Sequence, residues 1–235
     1  MALYHFYNGI RNRLYKNNVV FRVYAFFMSD IPDAIQRKKL KKYGYRDLVL
    51  LTNALDRIHV KSFCDFGTLL GMIRDGGFID HDNDIDVGIL TESMPFNWDL
   101  VEQSLSKEGL KKTHYYSYND VITEQTYEFP DGLSVDLFLY EPYEGDTMRT
   151  FVYYKDHDRI YDNANLRSVK ALIYPMISGI ETMQIRGCQL NIPSEPETRL
   201  CAIYGAGWKT PDPNYKPDRT EHLMEHLGVK HDTHG

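Results

Sequence analysis

The chain has 235 residues and a formal net charge of −6, and its Lys and Arg are scattered rather than gathered into a patch. That balance leaves no expectation of a duplex nucleic-acid partner, while a nucleotide stays open. The length suits one substantial domain, with or without a helical appendage. Three cysteines in separate segments, Cys64, Cys188 and Cys201, fit a reducing compartment better than a disulfide framework.

From the start of the chain, the apolar run "NNVVFRVYAFFM" is interrupted by Arg22 and is too short to span a bilayer. No small-residue cleavage site follows it. It reads as a helix packed on the domain or, because the basic "RNRLYKNN" precedes it, as an amphipathic helix on a membrane surface. From Ile31 to Val60 the pattern is helical: Leu48, Leu51, Leu55 and Ile58 recur at spacings of three and four, Pro32 suits a first turn, and Gly44 marks a kink or a junction between two helices. Residues 1–60 are thus expected as a helical segment packed on a main domain of residues 61–235.

The main domain opens with a strand, "VKSFCDF", and then "GTLLGMIRDGG", a tight turn, a short helix and a Gly-Gly stop. "NDIDVGIL" alternates and is β-branched, so it predicts a strand. "KKTHYYSY", "VITEQTYEF" and "LSVDLFLYE" are further strands, the last two joined by a "PDG" hairpin turn. "FVYYK" and "MQIRGCQLNI" continue the β character. "SEPE" predicts a helix start, with Ser194 capping and Glu197 reaching back, and Gly205 the stop. His222 and His226 in "TEHLMEHLG" stand four apart and read as an exposed helix rather than a zinc site, since no His-Glu-x-x-His pattern joins them. Together these elements predict an α+β (or α/β) domain: a mixed sheet flanked by helices, with helical additions at both ends.

The chemistry concentrates in "FIDHDNDIDVGIL", where Asp80, Asp82, Asn83, Asp84 and Asp86 occupy five of seven positions. An EF-hand loop would need Gly sixth and Glu twelfth; counted from Asp80 these are Ile85 and Thr91, and from Asp82 they are Val87 and Ser93. Asp84 and Asp86, two apart on a strand, project from one face at roughly 6–7 Å between Cα atoms, close enough to share one Mg²⁺ or Mn²⁺. A solvated acidic turn does not explain why the acids continue into a strand. Nor does it explain Asp136, set between Val135 and Leu137, where a lone buried carboxylate would be costly unless paired or metal-bound. Gly67 and Thr68, between strand and helix, predict outward-facing backbone N–H groups for a phosphate, and Arg74 a bidentate donor to it, although Arg74 also reads as a plain surface charge. Cys64 has no evident His partner and is not read as a nucleophile.

These residues carry a resemblance. "FGTLLGMIRDGGFIDHDNDIDVGI", "VDLFLY" and "IPSEPETRLCAIYGAGWKTPDP" are similar to the LicD/fukutin-type phosphotransferases of the nucleotidyltransferase-fold superfamily. The resemblance implies transfer of a phospho-alcohol (phosphocholine, ribitol phosphate or glycerol phosphate) from a CDP-linked donor to a glycan hydroxyl during cell-surface polysaccharide synthesis. It makes Asp84, Asp86 and Asp136 the catalytic and metal-binding trio for Mg²⁺ or Mn²⁺, and Gly67, Thr68 and Arg74 the donor-phosphate site. His81, Asp82, Tyr204 and Trp208 fall at the rim. The sequence departs from the family pattern at His81, where an aromatic is usual, at Asn83, where Asp is usual, and at Leu139, where Pro is common. The implied setting is cytoplasmic or peripheral at the inner face of the membrane, with a lipid-linked glycan acceptor and no nucleic acid. Nucleotidyl transfer from an NTP and a non-catalytic scaffold of glycan assembly are the alternatives.

Overall fold

The computed structural model describes residues 30–92, 94–156, 158–212, 215 and 222–233. Both readings of the apolar segment before residue 30 lie outside the described residues.

Helix α1 (Asp30–Asp56) is one unbroken helix of 27 residues. Its apolar stripe, Leu40, Leu48, Leu51 and Leu55, is buried to 0–1% exposure, as its 3–4 spacing requires. No junction between two helices falls at Gly44. Glycine is needed there for space: a Cβ would lie 2.7 Å from Cε2 of Phe78, whose ring packs on the helix at that point.

Strand β1 (Lys61–Cys64) leads into the short helix α2 (Phe66–Leu70) and a π-helical turn, Gly71–Asp75. Strand β2 (Asp84–Leu90), helix α3 (Trp98–Lys107) and strands β3 (Lys111–Tyr118), β4 (Val121–Glu128) and β5 (Ser134–Pro142) follow. Then come β6 (Thr147–Tyr154), β7 (Leu166–Pro175), the β8 (Ile180–Ile185) and β9 (Cys188–Pro193) hairpin, helix α4 (Pro196–Tyr204) and β10 (Gly228–Asp232).

The main sheet runs β1-β2-β5-β4-β3-β10-β7-β6, and β6 also pairs with β5, so six of its strands close into a barrel-like ring. The molecule is therefore mixed α+β with sheet dominant. Among the described residues only β2 and β5 pair in parallel, from Asp84 opposite Ser134 to Leu90 opposite Tyr140. The "PDG" turn forms as predicted: Asp131 Oδ1 accepts from the Leu133 amide, and β4 and β5 pair antiparallel on either side.

Two expectations near the C-terminus fail. "TEHLMEHLG" is not a helix across its described residues: His222 has φ +53°, Leu223 bridges to Lys170 of β7, and the Met224 amide donates to the Val169 carbonyl. From Gly228 the chain becomes β10, inserted between β3 and β7. The two free strand edges there take this segment by backbone pairing, which its weak local pattern does not resist. The capping box at Ser194 is also absent. Ser194 Oγ lies 2.9 Å from Ser178 Oγ, its amide donates to the Gly179 carbonyl, and Glu195 instead precedes the first helical turn. Gly205, at φ +80°, does end α4.

One buried ionic group joins the sheet to α4. Arg199, on α4, donates from Nε and Nη2 to Asp65 Oδ1 and Oδ2 at 3.0 and 2.6 Å, and the Tyr140 hydroxyl donates to Asp65 Oδ2 at 2.6 Å. The guanidinium lies 4.2 Å from the centre of the Tyr174 ring. Arg199 is 4% exposed and Asp65 0%. We expect Arg199→Met to destabilise the fold by about 3–5 kcal/mol, because Asp65 is left as an uncompensated buried charge. Urea denaturation of Arg199→Met beside the double variant Asp65→Leu/Arg199→Met checks this; the double variant should recover part of the loss.

Candidate active site

The parallel register of β2 and β5 sets Asp86 directly opposite Asp136, with Asp84 one pleat away on the same face as Asp86. Helix α2 then fixes Asp86 from the side. The Gly67 amide donates to Asp86 Oδ2 at 3.1 Å, and the Asp86 amide donates to Thr68 Oγ1 at 2.9 Å. A Cβ on Gly67 would lie 3.0 Å from Asp82 Oδ2 and 3.3 Å from Asp86 Oδ2, so only glycine lets the chain pass so close to both carboxylates. Phe66 holds a strained φ of +39° just before it, and its ring packs edge-on against Phe138 at 4.9 Å.

Among the described residues no cationic side chain offsets the charge at the trio. Burial raises the pKa of Asp86 well above the carboxylate range, and Asp84, Asp136, Asp82 and Asp65 push it further. Asp136 is raised to about 7 by burial and by Asp84, against the opposing effect of the Thr126 hydroxyl. Asp84 is raised by burial and by Asp33 of α1. Asp86 nevertheless keeps part of its surface open to solvent. The side chains stand shoulder to shoulder: among the described residues no group of three or more His, Cys, Asp or Glu is already drawn around one point as a cation cage. In donor chemistry the set is a pair of adjacent strands offering hard carboxylate oxygens without a basic partner among the described residues, a donor type that suits Mg²⁺ or Mn²⁺.

The other sequence-predicted residues divide. Asp82 joins the cluster, raised to about 6 by burial first and by Asp84 and Asp75, with His81 and Arg74 opposing. Arg74 does not face the trio as a free donor. It forms a forked pair with Asp75, 2.8 Å at both contacts, while acting electrostatically on Asp82 and Tyr204. The outward-facing cradle expected at Gly67 and Thr68 is also different in structure: the Gly67 N–H is turned onto Asp86, and Thr68 is buried. Both residues position a carboxylate. His81 is exposed at the rim. Tyr204 sits at the end of α4, its hydroxyl pKa raised by burial and then by Asp86, Asp65 and Asp82. Trp208 is not a rim residue: it is 7% exposed within the main core, so it packs the loop after α4 onto the sheet. Cys64 is buried beside Asp65 with its thiol pushed up to about 12, which leaves it inert.

Three polar residues near Asp136 escaped the sequence reading. Thr126, directly opposite Asp136 on β4, donates to Asp136 Oδ1 at 2.6 Å. His114, opposite Thr126 on β3, places Nε2 3.1 Å from the same hydroxyl. Glu124 is 7% exposed, and burial and then Asp136 raise its pKa well above the usual value. Their signal was the alternation of "VITEQTYEF" and "KKTHYYSY", but only the inter-strand register brings them to Asp136.

The molecule is thus an α+β fold with an acidic trio on one parallel strand pair at the edge of a ring of strands. Residues 59–194 match the model of the family described as LicD/FKTN/FKRP, nucleotidyltransferase domain. The match spans more than half of the chain, which belongs to that family and is, by that membership, a transferase. A search among curated proteins found no match. Two solved structures are similar in part. The lincosamide antibiotic adenylyltransferase LnuA with bound lincomycin is 10% identical, with TM-score 0.39, covering 66% of this chain and 82% of its own. ANT(2")-Ia in complex with adenylyl-2"-tobramycin is 12% identical, with TM-score 0.36, covering 71% and 77%. Likenesses of that extent say nothing about substrate. No helix among the described residues is long and apolar enough to cross a membrane.

The carboxylate shifts set a pH dependence with a definite sign. Between about pH 4 and 7 these carboxylates retain protons in the folded protein that the unfolded chain has released, so their contribution to stability falls as pH rises through that window, while His114, whose pKa burial lowers to about 4, contributes in the opposite sense. We expect Asp136→Asn to flatten this fall, leaving the variant more stable than wild type at pH 8 by on the order of 3 kcal/mol in the presence of a chelator. Urea titrations at pH 4.5, 6 and 8 measure it; parallel curves for the two proteins would contradict it.

Proposed function

We propose that the protein transfers a phospho-alcohol from a CDP-linked donor to a hydroxyl of a glycan acceptor. We place it in the cytoplasm or at the inner face of the membrane, on a lipid-linked glycan, which is where donor and acceptor of this chemistry would meet. The observation that carries the reading is the register match of Asp86 with Asp136, flanked by Asp84, with no basic side chain among the described residues to neutralise them. Family membership supports the reaction class.

Asp84, Asp86 and Asp136 would hold a Mg²⁺ or Mn²⁺ ion, which when bound supplies neutralisation of the donor diphosphate and of charge developing on the leaving CMP. The Gly67 amide and the Thr68 hydroxyl hold Asp86 in place. Asp136, with the proton affinity that burial gives it, takes the proton of the attacking hydroxyl. The new bond forms from the acceptor oxygen to the distal phosphorus, and the bond from that phosphorus to the CMP oxygen breaks. Arg74 turns its remaining N–H groups to the donor phosphate while Asp75 orients its fork. Asp82, His81 and Tyr204 edge the entrance. Positioning and electrostatics supply most of the rate, since the reaction needs no protein nucleophile.

The same acids would serve attack at the α-phosphate of an NTP, a reading favoured only by the description of the matched family domain. Purified protein incubated with Mg²⁺, an acceptor glycan and a panel of CDP-alcohols separates the two by product: CMP release supports the proposal, and pyrophosphate release from NTPs alone would replace it. Asp86→Asn should lower kcat/KM by about 10²–10³, the scale of removing one preorganised electrostatic partner of a developing charge. Activity within a few-fold of wild type would remove Asp86 from the site.

A further inference from the structure

Beside Asp136 a file of polar side chains crosses three adjacent strands. Thr126 Oγ1 lies 2.6 Å from Asp136 Oδ1 and 3.1 Å from His114 Nε2, and Thr113 Oγ1 lies 3.1 Å from His114 Nδ1. Asp136, Thr126 and His114 are direct cross-strand partners on β5, β4 and β3. We infer that His114 and Thr126 are positioning residues, a one-way chain of hydrogen-bond donors that fixes which oxygen of Asp136 is turned away from the reacting groups.

The direction follows from counting protons. A threonine hydroxyl has one hydrogen to give. Between an imidazole nitrogen and a carboxylate oxygen at 2.6 Å, that hydrogen goes to the carboxylate, the stronger and nearer acceptor. The Thr126 oxygen is then an acceptor toward His114, so Nε2 must carry the ring hydrogen. Nδ1 is left bare and takes the hydrogen of the Thr113 hydroxyl. The opposite arrangement would need Thr113 to donate to the Thr126 carbonyl, which lies farther off at 3.3 Å, and would leave two acceptors facing each other wherever Asp136 is ionised. A charged ring would donate from both nitrogens and remove the preference. Burial first, then Lys230 and Arg167, hold the His114 pKa at about 4 despite Asp232, so the ring is neutral at physiological pH. The outcome is an Asp136 whose Oδ1 is occupied by Thr126 while, among the described residues, no donor is placed on Oδ2, leaving it to the substrate and ion. A partner of this kind commonly changes metal affinity or activity by about 10–100-fold.

The catalytic part of this inference rests on the proposed transfer reaction; the donor chain itself does not. ¹⁵N NMR of histidine-labelled protein at pH 7, with the signal assigned by its absence in His114→Gln, should show His114 as the Nε2–H tautomer. Thr126→Val, close in shape to wild type, should turn it into a mixture of tautomers. Thr126→Val and His114→Phe should each weaken Mn²⁺ binding to the substrate-free protein by about tenfold or more, while Thr126→Ser, and His114→Gln with its amide nitrogen in place of Nε2, stay within about threefold. The same ordering should appear in kcat for CDP-alcohol transfer, with KM for the acceptor little changed. An Nδ1–H or doubly protonated His114 in wild type overturns the direction of the chain. Wild-type Mn²⁺ affinity in a folded Thr126→Val, with its far-UV spectrum and urea midpoint intact, overturns its role. If no CDP-alcohol is turned over, the NMR and Mn²⁺ results still decide the inference, and only the function proposal fails.

Discussion

The structure turns on two carboxylates held side by side in a parallel strand pair. Like charges directly opposite one another in a sheet are destabilising, and here Asp86 and Asp136 are opposite, half-buried, and joined by Asp84 and Asp82, with no basic side chain among the described residues offsetting the trio. A fold keeps such an arrangement only if the rest of the molecule over-determines it. The apolar residues between the acids supply much of that: Ile85, Val87, Val135 and Leu137 are 0–2% exposed on the reverse of the same strands, so a slip of one residue would bury the acids in the core and expose the core to water. The repulsion is therefore locked in by the pleat.

The second support comes from outside the sheet. Asp65, the residue before α2, is anchored by Arg199 and Tyr140, which fixes where α2 begins. That in turn aims the Gly67 amide at Asp86. The family pattern of a small-residue turn before the acidic strand thus has a local meaning: the turn grips the carboxylate. Asn83 fits the same logic. Its Nδ2 donates to Asp33 Oδ1 on α1 at 3.1 Å, where an aspartate would add another like charge to a carboxylate that already acts on Asp84.

How much of this the sequence disclosed depended on range. The trio was legible because it needs only two strand assignments, each carried by β-branched alternation. The "PDG" hairpin was legible because its turn chemistry is local. β7 escaped because Arg167 and Lys170 interrupt its apolar pattern, and β10 because a five-residue strand between two others has little signal of its own. Thr126, His114 and Glu124 were visible as residues but not as neighbours of Asp136, since proximity required the register of three strands. Trp208 was ambiguous in sequence, as an aromatic after a helix stop serves a core as readily as a mouth, and here the core claims it.

β10 shows why the late part of the chain matters to the site without touching it. By pairing with both β3 and β7 it closes the six-strand ring. It also brings Lys230 and Asp232 into the field of His114, while Arg167 enters from β7. Two cations and one acid around a half-buried imidazole favour its neutral form. A neutral imidazole can donate from one nitrogen and accept at the other, whereas a charged one can only donate. After burial, the largest cause, the far end of the sheet thereby adds to what sets the hydrogen-bonding state of a residue two strands from Asp136. A strand with almost no sequence signature is, on this argument, part of what makes the acidic centre asymmetric.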